Sequence, residues 1–439
     1  MKKNIISITS FSFIVMAVVL GSVFMNNRNK TAPDNKPVHE RNMCDNGLEV
    51  VVLDKKNSHI LTLLAVFEIK SEYLTSQDNG KLHMVEHLLI DKYRADINRL
   101  GCIVNGTTNQ DYMIIEFNCS EEDWKEGIDI FCNMINPQNL LNSDFSGYIE
   151  NEKNIVIKEL ELKSADISSE LWKNMDLARN GYNILGDVGS IAEITNADMI
   201  EMIDRHLFTD RTLITVIGDM SNKDILDKIQ ESYGASKYSY NQVNYPTERV
   251  ATVYQDVIRL PVTDCGDYVP LILVWEGPDM DSEVKETFSA DVLCGIINNS
   301  ELFIQPVREN EYVKNYKVYY QPARLNGQII VSAVADSSHV KEAAKRIQDA
   351  ITNPDIYKQI TEDMLKQSKT LIQSDWILYQ EDTKEFEIVR SKIWSMADLR
   401  YADSYIENIN SVTKEDILHF VDSFIIQLPP TVGWVEAAQ

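Results

Sequence analysis

Hydrophobic and polar positions change their rhythm soon after residue 45. Apolar side chains alternate through Leu48 to Leu53 and then run almost unbroken from Ile60 to Phe67, so the stretch NGLEVVVLDKKNSHILTLLAVFEIK predicts a turn and two strands pairing as a hairpin. From Gly80 to Tyr93 the period lengthens. Leu82, Val85, Leu89 and Ile90 recur at helical spacing with no Gly or Pro inside the segment, which predicts a helix. A second helical segment covers Glu152 to Lys163, with Ile155, Val156, Leu160 and Leu162 as its apolar stripe. A third, Ser289 to Asn298, occupies the place in the second half that the Gly80 helix holds in the first.

Two echoes suggest that the halves are related. ITNADMIEMIDRHLF from Ile194 and VTKEDILHFVDSFI from Val412 each place a Thr cap three residues before an Asp at the head of an amphipathic helix, a variant of the capping box, and a strand follows each. VIGDMSNKDILDKI and AVADSSHVKEAAKRI share strand, Asp, small polar cap and helix. Together they predict two similar α+β halves offset by about 218 residues, each a mostly antiparallel sheet with helices packed on it. The polar stretch around Pro246 separates them, giving residues 38–240 and 250–439.

Ahead of both halves, Lys2 and Lys3 precede an apolar run from Ile5 to Met25, long enough to cross a bilayer as a helix. Residues 1–33 are therefore read as a signal anchor or signal peptide, with a polar tether from Asn26 to Pro37. The basic start favours a single-pass membrane protein whose folded part lies outside the cytoplasm, or a secreted one after cleavage.

With 67 acidic against 42 basic residues, the net charge of −25 argues against a nucleic-acid partner and favours cationic ligands or peptides. Cys44, Cys102, Cys119, Cys132, Cys265 and Cys294 form no C-x-x-C pair and read as isolated thiols.

The candidate chemistry lies in the Gly80 helix. His83 and His87 are four residues apart, on one helical face, so their imidazoles can converge on one metal ion. Glu86 stands where it can take a proton from a water activated there, the role of a general base. A hydrolytic zinc site needs a third protein ligand. Glu152, Glu159 and Glu161 are its candidates; Glu152 and Glu159, seven apart, share a face, so that one can bind the metal and the other support it.

These motifs resemble the inverted zinc peptidases of the pitrilysin, insulinase and mitochondrial processing peptidase family. NGLEVVVL resembles the family's opening hairpin, GKLHMVEH its G-x-x-H-x-x-E-H helix, and ENEKNIVIKE its E-x-x-x-V-x-x-E segment. The resemblance implies one Zn2+ per chain held by His83, His87 and Glu159, with Glu152 as the outer carboxylate and Glu86 as the base. LGCIVNGTTNQDYMIIEF is similar to the family's G-x-x-x-N-A-x-T segment, which leads into an edge strand that holds substrate backbone; Asn105 takes the asparagine position and Gly106 replaces the usual alanine. LFIQPVRENEYVKNYKVYY resembles a second-half motif in which Arg308 matches a substrate-holding arginine. The partner tyrosine belongs at position 315, where this chain has Asn, and Tyr316 comes one residue late. The resemblance further implies two halves facing each other, only the first carrying metal, and pairing as a homodimer or with a related subunit. The expected function is a zinc metalloendopeptidase acting on peptides or small unfolded chains. Its rivals are a non-catalytic peptide-binding or partner subunit of the same family and, further off, a surface protein that delivers zinc.

Overall fold

The computed structural model describes residues 39–234, 238–239, 257–308 and 311–438. The apolar run Ile5–Met25 and the boundary near residue 245 lie outside the described residues. Among the described residues no helix is long and apolar enough to cross a membrane.

The first sheet has six strands: β1 (His39–Met43), β2 (Glu49–Asp54), β3 (Ile60–Glu68), β4 (Ile103–Thr108), β5 (Tyr112–Ser120) and β6 (Thr212–Gly218). Their order is β1-β2-β6-β3-β5-β4. This corrects the expected hairpin. β2 turns back onto β1, and β6 enters between β2 and β3, parallel to one and antiparallel to the other. All seven residues of β6 are buried, as are the first five of β2, so both belong in a sheet interior. No local pattern encodes a partner about 160 residues away.

The second sheet has β7 (Val257–Val262), β8 (Tyr268–Glu276), β9 (Val313–Gln321), β10 (Gln328–Asp336) and β11 (Thr431–Ala437), ordered β7-β11-β8-β10-β9. Strand by strand this repeats β2-β6-β3-β5-β4, including one parallel pair, β7 with β11. The molecule is thus two related α+β halves. Both capping boxes form, at Thr195 with Asp198 and at Thr413 with Asp416. The second echo requires correction, because β10 is the counterpart of β5, not of β6. Its segment AVADSSHVKEAAKRI matches the β5 strand and the helix that follows it.

Five helices position the site and join the halves: α1 (Lys81–Lys92), α2 (Ile149–Ser164), α3 (Ile167–Asn180), α4 (Val284–Asn299) and α5 (Thr383–Met396). α1 packs on β4, β5 and α2, and α4 takes the equivalent place on β9. The expected stripe of α2 is only half right. Val156 and Leu160 are buried together with Ile149, but Ile155 and Leu162 are 41% and 77% exposed.

Each half lends a helix to the other. α3 leaves the first half to pack on β7, β8 and β11, where Leu171 and Met175 enter the second core. A Cβ on Gly433 would run into Met175 and Leu171, so glycine lets the helix settle directly on the strand. In return α5 packs on β3, β5 and β6. Trp394 and Leu399 close over Val51, Leu53, Val66, Ile114, Leu213 and Ile217, and the Trp394 indole N–H donates to Glu49 at 3.1 Å. A polar clasp also spans the halves. Arg324, between β9 and β10, forms an ion pair with Glu72, and its backbone N–H donates to buried Asp111 at 3.1 Å.

Candidate metal centre

Gly80 opens α1 in the left-handed region at φ +74°, where a side chain would be strained and would strike Ile191. From there the helix runs without a break, and its spacing carries His83, Glu86 and His87 to the side facing β4 and α2. His83 is 3% exposed and its Nδ1 lies 3.2 Å from the carbonyl oxygen of Leu185. A carbonyl only accepts, so Nδ1 carries the proton and Nε2 presents a lone pair. At His87 the same result comes from Glu152, fully buried, whose Oε2 lies 3.1 Å from Nδ1. Asn151 donates to the other Glu152 oxygen at 3.2 Å.

Both free Nε2 atoms face Glu159 on α2. Its Oε2 stands 3.7 Å from His83 Nε2 and 3.5 Å from His87 Nε2, and the three donor atoms lie within 4.8 Å of one another. These separations are too long for good hydrogen bonds. The two imidazole–carboxylate separations come close to the edges, roughly 3.3–3.6 Å, of a tetrahedron with zinc bonds of about 2.0–2.2 Å. Two imidazoles and one carboxylate, with the outer nitrogens anchored, form a donor set that fits zinc. Lys163, one turn on, holds the second oxygen of Glu159 at 2.6 Å.

The charges are set by burial and neighbours. Burial, with His87 beside it, pushes His83 down to about 4, so it is a neutral donor at physiological pH. Burial opposes protonation of His87 too, but Glu159, Glu86 and Glu152 together raise it. His87, helped by Lys163 against burial, holds Glu159 well below the usual carboxylate range. Burial raises Glu86, although the Thr108 hydroxyl opposes it.

The structure therefore gathers His83, His87, Glu159, Glu152 and Glu86; the other three candidates lie on β4, at the end of the helix Glu301–Arg308 and on β9. Asn105 and Gly106 do not lead into the edge strand. They lie within it, since β4 is the outermost strand, and Asn105 points outward. Arg308 ends the helix Glu301–Arg308 with its side chain exposed. Tyr316 lies on β9, on the same face as buried Val318 and Tyr320, and packs against the second core. Among the described residues its hydroxyl is buried without a partner, and burial pushes it up to about 12. One residue of offset in a strand reverses the face, so Tyr316 and position 315 look in opposite directions.

Sequence reasoning missed Thr108, whose hydroxyl donates to Glu86 Oε2 at 2.5 Å. The signal was available in part: residues two apart on a strand share a face, so Gly106 and Thr108 go together. The Leu185 carbonyl has no signature in the sequence.

The profile of the Peptidase M16 inactive domain matches residues 193–371, and the clustered donors at 83, 87 and 159 lie outside that match. The mitochondrial-processing peptidase subunit beta of Dictyostelium discoideum is 23% identical over 232 residues, 48% of each chain. Over residues 193–371 the chain is similar to the M16 peptidase family. Another relative is subunit 1 of the mitochondrial cytochrome b-c1 complex of Bos taurus, 18% identical over 224 residues, 48% of this chain and 46% of the relative. The chain spans about half the length of these curated relatives. Among solved structures, a protease from Helicobacter pylori shares the fold with a TM-score of 0.76 at 15% identity, covering 91% of this chain and all of that one. A peptidase M16 inactive domain from Pseudomonas fluorescens gives 0.72 at 14% identity, covering 92% and 98%.

Proposed function

We propose that this M16 chain is a zinc metalloendopeptidase that hydrolyses peptides or small unfolded polypeptides. The observation that carries the reading is the convergence of two outward-anchored Nε2 atoms on one glutamate oxygen, with a buried carboxylate on the same helix face. A zinc ion held by His83, His87 and Glu159 would lower the pKa of a water toward about 7 and polarise the scissile carbonyl.

The chain's own residues supply the rest. Glu152 and the Leu185 carbonyl fix the two imidazoles so that neither can turn away. Glu86 takes a proton from the attacking water and delivers it to the departing amine nitrogen as the C–N bond breaks. The free edge of β4 accepts an extended peptide through backbone hydrogen bonds, which fixes its direction without fixing its sequence. The second half, without a histidine pair on α4, closes over the peptide from the other side, with Arg308 available to hold it. The acidic composition favours cationic peptides, and the basic-then-apolar order of the amino-terminal sequence supports work outside the cytoplasm.

A second reading has its own support. The matched profile describes an inactive domain, and one relative is named as a subunit of a cytochrome complex. On that reading the chain is a peptide-binding or partner subunit that works with a second copy or a related chain. One experiment separates the two. Protein lacking residues 1–33 is incubated with a quenched fluorescent peptide library, with zinc, with chelator, and as Glu86→Gln. Hydrolysis lost in the last two supports the peptidase; activity unchanged in Glu86→Gln would sink it. Zinc-loaded protein that cleaves nothing favours the subunit reading.

A further inference from the structure

Glu86 is a carboxylate with 7% of its surface exposed, a costly placement for a charged group without donors. Among the described residues its hydrogen-bond donor is the Thr108 hydroxyl on β4. The other wall of its seat is backbone: a Cβ on Gly106 would come within 2.5 Å of Glu86 Cγ and 2.6 Å of Cδ. β4 alternates strictly. Val104, Gly106 and Thr108 are half-buried on the side where α1 packs, while Ile103, Asn105 and Thr107 are exposed. The same short strand thus has a face that seats Glu86 and a lateral edge that pairs with no further strand among the described residues.

We propose that Thr108 is a positioning residue for Glu86 and that Gly106 supplies the room it needs, so that the strand receiving the peptide also sets the proton-transferring carboxylate against it. The inference rests on the hydrolytic reading above. Thr108 holds one oxygen of the carboxylate, leaving the other to meet the water. Gly106 has no positive φ, so alanine fits its backbone and disturbs only the seat.

The test uses the full-length, zinc-loaded chain and a quenched peptide that the wild type cleaves. Thr108→Val keeps the side-chain shape and the strand preference but removes the donor. It is expected to lower kcat roughly ten- to hundred-fold, the usual loss for one hydrogen bond to a charged group, with KM within about twofold. Thr108→Ser restores most of kcat. In parallel, the chain is labelled with 13C at the glutamate carboxyl carbon, and the Glu86 resonance is assigned by its loss in Glu86→Gln. That resonance moves in Thr108→Val and in Gly106→Ala and stays in Thr108→Ser. A Thr108→Val chain with wild-type kcat, a loss carried wholly by KM, or a resonance that does not move overturns the proposal. A wild type that cleaves nothing refutes the hydrolytic reading instead, and the resonance alone then decides whether Thr108 holds Glu86.

Discussion

Removing Glu152 tests the metal centre without touching a proposed ligand. Its Oε2 accepts from His87 Nδ1 at 3.1 Å, its Oε1 accepts from Asn151 at 3.2 Å, and none of its surface is exposed. In Glu152→Ala the His87 N–H is left inside the protein with nothing to bond, the imidazole is free to turn, and its donor nitrogen is less basic. Partners of this kind are worth about 10–100-fold in metal affinity, and complete burial places Glu152→Ala near the upper end, about 2.7 kcal/mol. Glu152→Gln keeps an oxygen for His87 but loses the charge and turns an amide toward Asn151, so a loss of about tenfold is expected. Zinc affinity is measured by competition with a fluorescent chelator, and thermal unfolding in excess chelator checks that each variant folds. Wild-type affinity in a folded Glu152→Ala chain, or a larger loss in Glu152→Gln than in Glu152→Ala, would refute the argument that this carboxylate orients His87.

Further outcomes concern the joint between the halves. Arg324→Ala leaves Glu72 without its guanidinium and is expected to lower stability by about 3–5 kcal/mol, read as a lower urea midpoint; an unchanged midpoint would show that the clasp contributes nothing. Burial raises Asp111 from 3.8 to about 6 against the pull of Arg324. Folded protein therefore keeps this proton longer than unfolded protein, and the stability it contributes is full below about pH 4 and lost as pH rises to about 6. Asp111→Asn should remove that part of the pH slope in the melting temperature, and an identical slope would contradict it. Met175→Ala empties a fully buried site where α3 meets β11, with an expected cost of about 2–5 kcal/mol by urea unfolding.

What could be read from the sequence was local. The Gly80 helix was legible because H-x-x-E-H lies in a segment free of breakers, and both capping boxes because each is complete within four residues. Glu159 shared a helix face with Glu152, but only packing shows which of the two faces both imidazoles. The opening hairpin misled because β6 inserts from far along the chain. On α2, periodicity alone admitted Ile155 and Leu162 to a stripe from which helix phase removes them. Tyr316 cannot be read as a simple replacement for position 315 for a related reason, since a strand shifted by one residue turns to its other face. The Gly106 and Thr108 seat depended on β4 lying over α1, a contact that no spacing announces.

The exchanged helices have a consequence for how such a molecule arises and persists. If two copies of an ancestral unit were joined, each would at first have been dispensable. Once α3 lay on its neighbour's strands and α5 returned the favour, neither copy could be deleted without stripping cover from the survivor's sheet. That mutual cover is by itself enough to retain the half without the clustered donors, whatever else it does for substrate. A gene split between the halves should still yield function, but only if the two pieces are made together.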